Sequence, residues 1–267
     1  MILYTSDEFD KGYNSNLQIR KLFYNNNIIY GEKNSYVKLT FNDNSQRTDF
    51  YDDEIVPNNI YSGNTAITSV EMNGISEIST MAFYKCKNLS AATLNEGLQK
   101  IGSSAFNNCS GLTSINLPIS LSNIGENAFE WCFGLISIEI PSSVKTLSAQ
   151  VFLGCKNLTN ITFNEGLERI EGAAFFQCWK LTNVTIPDSV TYFGRNAFEE
   201  CSRLAVIDFG NTRSTIPTLG GSGSVFYGLP NNYVIVVPNA LVNSWKTTSG
   251  WSSVASHIVS YTNYHNN

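Results

Sequence analysis

Residues 112–135 read LTSINLPISLSNIGENAFEWCFGL, and the chain rewrites this unit every 23 residues. Phe83, Phe106, Phe129, Phe152, Phe175 and Phe198 mark the step most clearly. Cys86, Cys109, Cys132, Cys155, Cys178 and Cys201 keep it too, always three residues behind the Phe. A small residue precedes each Phe, from Ala82 to Ala197, and a Leu stands three past each Cys, from Leu89 to Leu204. Self-similarity at a period of roughly 20–29 residues with an L-x-x-I-x-L core signals a leucine-rich repeat solenoid. Inside the quoted unit, Ile115 and Leu117 alternate with Ser114 and Asn116, which predicts a short strand with one buried face. Pro118 stops the strand, because it has no backbone donor for the ladder. Leu121, Ile124, Ala128, Phe129 and Cys132 then follow mostly at three- and four-residue steps, which predicts a short helical or 3₁₀ return. One unit cannot bury these groups alone. Stacking coils at ~4.8 Å lays each Phe on the previous Phe and each strand beside the previous strand.

The recurring A-F-x-x-C-x-x-L string and the L-P or I-P strand end, as in IGSSAFNNCSGLTSINLP (101–118), closely resemble the bacterial BspA-like (Treponema-type) leucine-rich repeat family. The resemblance covers six units between Ile67 and Phe209. It implies an α/β solenoid: a right-handed leucine-rich repeat with a curved parallel β-sheet inside and short helical or 3₁₀ turns outside, capped at both ends. It also implies a non-enzymatic protein–protein interaction or adhesion scaffold in a bacterial surface or secreted setting. Asn95 and Asn164 replace the strand-end Pro, and the first unit is one residue short between Met72 and Ile75; these read as drift and edge irregularity.

Four segments follow. Residues 1–66, rich in Asn, Asp and Tyr, read as an N-terminal cap with short strands at Ile2–Tyr4, Ile28–Tyr30 and Tyr36–Phe41. Residues 67–209 hold the repeats. Residues 210–232 are a degenerate repeat and loop, with Leu219-Gly220 and Val225-Phe226 as a stretched copy of I-G…A-F. Residues 233–267 form a C-terminal cap and tail, with Asn239 as helix N-cap, Trp245 and Trp251 as apolar lids, and 262–267 frayed.

Composition excludes several function classes. A net charge of −5, with Lys and Arg scattered, argues against nucleic-acid binding. No apolar run is long enough for a membrane-spanning helix, so membrane insertion is not expected. The opening MILYTSDEFDKG reads as no signal peptide, so an extracellular or cell-surface location requires that a signal was trimmed; otherwise a virion or the cytoplasm is expected. A structural or decoration component of a virion or other large assembly is accordingly the alternative function. All six cysteines belong to the ladder and read as buried, reduced, inert thiols. No cofactor, metal site or catalytic residue is expected: the cysteines lie far apart, and His257 and His265 lie outside the ladder. Asp49, Asp52, Asp53 and Glu54 lack calcium-loop spacing and read as a solvated loop, and Gly220-Gly221-Ser222-Gly223 reads as a flexible loop.

Recognition remains, of a protein or surface glycan ligand. The strand positions pointing away from the core, among them Glu71, Ser114, Asn116, Glu139 and Asp208, are small, polar and mildly acidic. The outer turns are richer. Trp131, Phe133, Phe176 and Trp179 flank the ladder Cys where other units carry Asn108, Ser110, Asn107 and Lys156, so the repeat itself does not demand them. Aromatics at such variable positions form a candidate partner patch.

Overall fold

The structure, a computed structural model, describes residues 23–24, 27–28, 35–221 and 224–266. The strands expected at Ile2–Tyr4 and over Ile29–Tyr30 lie outside these residues, as does the Ser222-Gly223 part of the glycine loop. Ile28 itself pairs, in a two-residue antiparallel ladder of Phe23–Tyr24 with Asn27–Ile28.

Among the described residues nine short inner strands follow one another from Ile67–Asn73 to Ile258–Ser260, in three hydrogen-bonded parallel groups that break after Ser114–Ile115 and after Asn160–Phe163. Their registers step by one repeat: Ala91 faces Ser114, Ser137 faces Asn160, and Asn183 faces Val206. Alternation puts Ile115, Ile138, Ile161 and Val184 in the core and leaves Ser114, Asn116, Ser137 and Glu139 exposed. At the N-terminal side the sheet edge is closed by a hairpin. Tyr36–Phe41 runs antiparallel to Ile67–Asn73 on one side and to Gln46–Phe50 on the other. Val37 and Leu39 are fully buried beneath it.

The core is a set of vertical ladders. Phe83, Phe106, Phe129, Phe152, Phe175 and Phe198 are all fully buried, and neighbouring rings stack with centroids 5.2–5.5 Å apart. The column starts one coil earlier than the repeat suggests. Tyr61 lies 5.0 Å from Phe83 in a stacked arrangement, and its hydroxyl donates to Asp49 at 2.7 Å and contacts the Tyr51 hydroxyl. Asp49 is therefore part of the cap's hydrogen-bonded core, not of a solvated loop; only its neighbours Asp52 and Asp53 are exposed.

The return across the outside differs from a continuous helix. It is a chain of i→i−3 turns, with Cys132 N–H donating to the Phe129 carbonyl at 3.2 Å. Intervening N–H groups bond to the next coil instead, as Phe129 N–H does to the Val151 carbonyl at 2.9 Å. Ile124, expected within the return, belongs to a second parallel sheet of two-residue strands. That sheet runs from Ile55–Val56 to Asn123–Ile124, a like four-stranded sheet continues from Thr146–Leu147 to Thr218–Leu219, and the two bury one aliphatic or aromatic side chain per coil over most of their length. Asn95 and Asn164 are more than drift. Asn95 bonds both the N–H and the carbonyl of Ile75, and Asn164 donates to the Ile140 carbonyl, so each amide staples its coil to the previous one.

Past the repeats, Thr218–Leu219 pairs with Tyr192–Phe193, and Val225 and Phe226 are buried in the stretched copy. A buried arginine fastens the intervening loop: Arg213 donates to the carbonyls of Val190 at 2.8 Å and Pro187 at 2.6 Å. Trp245 and Trp251 are fully buried and cover Phe209. Two local expectations fail here. Asn239 caps no helix; Pro238 holds that position, and the Asn239 side chain bonds Thr262 instead. The tail is also no frayed end up to Asn266: Ile258–Ser260 adds an inner strand, and Tyr261–His265 is a helix whose His265 lies 3.3 Å from Asp208.

Candidate interaction surface

The outer turn carries two left-handed residues per coil, and this shapes the surface. Just before the ladder Cys the column runs Lys85, Asn108, Trp131, Gly154, Gln177 and Glu200, all at positive φ. Gly or Asn suits that conformation best, and a bulky side chain suits it poorly. Trp131 (φ 55) is thus not the residue the fold asks for. Its indole lies on the bare backbone of Gly154 one coil on, where a Cβ would collide with it. Even so, 41% of Trp131 stays exposed.

One column further round, just after the Cys, successive coils carry Phe133, Lys156 and Trp179. The Lys156 ammonium lies 5.3 Å from the Phe133 ring centroid and 4.2 Å from that of Trp179. Such contacts contribute about 0.5–1 kcal/mol each at exposed sites, so the lysine holds both rings in place without hiding them. Trp179 is 41% exposed and Phe133 half-buried. Phe176 is half-buried on the same turn as Trp179, and its carbonyl accepts the Gly154 N–H at 2.7 Å. The structure therefore gathers Phe133 and Trp179 through Lys156 and sets Trp131 beside them on Gly154. In the sequence Lys156 stands only as the ordinary counterpart of these aromatics. Its signal was available: it stands at the same distance behind the ladder Cys as Phe133 and Trp179, in the coil between them.

The strand-face candidates do not converge. Glu71, Glu139 and Asp208 sit on the first, fourth and seventh inner strands, so neighbours are about 14 Å apart at the sheet spacing. Glu139 accepts from the Asn164 amide at 3.0 Å, and Asp208 accepts the Gly210 N–H at 2.8 Å besides facing His265. Glu71 lines a shallow groove of about 260 Å³ with Lys38, Thr40, Gln46, Ser69 and Thr93, where the hairpin meets the first coils. Ser114 and Asn116 are exposed on the strand face, where Ser114 pairs with Ala91 of the previous coil.

The cysteines are built for the interior. All six are free and buried. Each thiol donates to the Phe carbonyl of the previous coil, or for Cys86 to the equivalent carbonyl of Tyr61. Burial pushes the Cys86 thiol up to about 12 and its five successors well above the ordinary thiol range. Among the described residues no cluster of three His, Cys, Asp or Glu side chains is placed to hold a metal, and no helix is long and apolar enough to cross a membrane.

Comparison with known proteins matches this geometry. A leucine rich cell surface protein from Faecalibacterium prausnitzii is 27% identical over 67% of this chain and 53% of its own, with a TM-score of 0.52. The chain thus spans about half the length of that relative. A leucine rich repeat protein from T. pallidum is also 27% identical, over 56% of this chain and 71% of its own, again with a TM-score of 0.52. A leucine-rich repeat protein from Eubacterium ventriosum shares the fold at a TM-score of 0.56 and 23% identity, over 73% of this chain and 50% of its own. No curated protein matches the chain. The model of the BspA type leucine rich repeat region matches in six copies, over residues 54–152 and 122–228. With its Phe, Cys and Leu ladders in register across those residues, the chain belongs to the BspA type leucine-rich repeat family.

Proposed function

We propose that this protein is a non-enzymatic interaction scaffold that docks a partner protein on the outer turns of its central coils, in an adhesive role at a bacterial surface. The carrying observation is the exposed aromatic group built around Lys156, with Trp131 held at a left-handed position where a bulky side chain is disfavoured. Large aromatics bury much area at low rotamer cost, which is why they dominate binding energies at protein interfaces. The polar strand face offers hydrogen bonds that exchange readily with water. The surface setting is supported by the similar Faecalibacterium prausnitzii protein, which is a leucine rich cell surface protein.

Site-specific photo-crosslinking tests the reading. A crosslinking residue at Phe133, and separately at Asn116, is presented to intact cells and to their extracted surface proteins. The proposal predicts one discrete protein adduct from position 133 and none from position 116. A discrete adduct from 116 alone moves the docking site to the strand face.

A further inference from the structure

One corner of the coil brings together several cations of this acidic chain. Among the described residues, the Lys and Arg ion pairs (Arg47–Asp49, Lys100–Glu77, Arg169–Glu171 and Arg213–Asp188) all lie off the corner beside the ladder Cys. That corner carries five other cations. Lys85 and Lys87 flank Cys86, Lys156 follows Cys155, Lys180 is two past Cys178, and Arg203 is two past Cys201. None of the five has a carboxylate within ion-pair distance among the described residues. Two carboxylates on the same turns are engaged by amides. Glu130 accepts from Asn107 at 2.6 Å and Asn127 at 2.9 Å, and Glu200 accepts from Gln177 at 2.7 Å. Glu199, half-buried beside Glu200, has its carboxyl raised by that burial and by its neighbour's charge.

The order along the solenoid matters as much as the count. Lys85 and Lys87 stand at one end, Lys180 and Arg203 at the other, and the aromatic group lies between them around Lys156. From the Cys86 coil to the Cys201 coil is five steps, or about 24 Å at the sheet spacing. An apolar centre with a charged rim on that scale is the anatomy of a protein interface. We infer that this ridge docks an acidic protein segment, one whose Asp and Glu side chains flank an apolar or aromatic centre. The inference rests on the proposed use of the outer face and names the partner class it takes. Carboxylates at both ends meet unpaired ammonium and guanidinium groups, which steers encounter and fixes register, while the rings supply the buried area.

Poly(Glu,Tyr) copolymer is a direct probe, with poly(Lys,Tyr) and heparin as comparisons, in biolayer interferometry on the full chain. Poly(Glu,Tyr) is expected to bind at least about tenfold more tightly than poly(Lys,Tyr), and to lose about tenfold when salt rises to about 0.5 M. A Lys87→Gln, Lys180→Gln, Arg203→Gln variant, which leaves Lys156 between its two rings, is expected to lose the poly(Glu,Tyr) signal with its melting temperature unchanged. Equal affinity for the two copolymers, no binding of poly(Glu,Tyr), or undiminished binding by the charge variant overturns the inference. Heparin binding more tightly than poly(Glu,Tyr) also overturns it, in favour of a polyanionic glycan. The two readings fail separately. If crosslinking at Phe133 succeeds while poly(Glu,Tyr) fails, only the acidic partner is wrong. If the charge variant loses poly(Glu,Tyr) but a Trp131→Ser, Trp179→Ser variant keeps it, the aromatic surface is wrong and the acid preference stands.

Discussion

The Cys132 thiol lies 3.2 Å from the Phe106 carbonyl oxygen of the preceding coil, and the contact recurs at every ladder cysteine. It explains why the column is Cys and not Ala or Val. The position takes a small apolar group, and the carbonyl above it gains a weak S–H donor. Native protein should accordingly resist thiol reagents, while unfolding without reductant should release six titratable thiols. Fewer than six in the unfolded, unreduced chain would show that stacked cysteines are bridged in solution.

The same burial predicts an alkaline limit to stability. A cysteine in the unfolded chain ionises near pH 8.5, whereas burial keeps the folded thiols protonated, Cys86 up to about 12. Above that unfolded value the folded state binds more protons, so stability is complete below about pH 8.5 and falls as pH rises toward the folded values. Each thiol contributes up to about 1.4 kcal/mol per pH unit in that window. Urea unfolding at about pH 7 and about pH 9.5 should show a loss larger than one thiol supplies. Equal midpoints would contradict the burial of the column.

Phe129 stacks between Phe106 and Phe152, 5.5 Å from each, and is fully buried. Phe129→Ala should cost about 3–5 kcal/mol in reversible urea unfolding, the range for truncating a large core side chain. A loss below about 1 kcal/mol is too small for such a cavity and would contradict a continuous ladder.

Arg213 is a separate fastening. Burial lowers its pKa, opposed by Asp188, yet the guanidinium spans two carbonyls on a neighbouring coil. Arg213→Met should destabilise by about 1–3 kcal/mol, chiefly through the Val190 carbonyl it leaves without a donor, since the Pro187 carbonyl keeps the Val190 N–H at 3.1 Å, and Arg213→Lys should recover less than half, because an ammonium lacks the fork. Full stability in the Lys variant would reduce the fastening to a single contact.

The ladders were legible because Phe, Cys and Leu recur at fixed offsets with no insertion between residues 75 and 209. Features too short or too irregular to form a pattern were not. Two-residue strands such as Asn123–Ile124 are too short to show alternation, so Ile124 reads as part of a helical return. Tyr61 heads the Phe column from 22 residues upstream, with a polar handle that suits the cap and breaks the pattern. Arg213 sits in an irregular loop where a lone arginine reads as surface, and only the fold brings Pro187 and Val190 to it. Asn239 has the chemistry of an N-cap, and the competing Thr262 arrives from the last helix. The outer aromatics were visible as departures from their columns. Their tie through Lys156 was encoded in the same columns, in the coil between Phe133 and Trp179.

The most direct measurement is the affinity of two paired variants for the protein captured through position 133, with melting temperatures followed in both. Trp131→Ser with Trp179→Ser should weaken binding by about 2 kcal/mol or more, the size of an interface hot spot. Ser114→Ala with Asn116→Ala should leave it within a few-fold. If the Trp variant binds normally while the strand variant fails, recognition lies on the strand face and the outer-surface account is wrong.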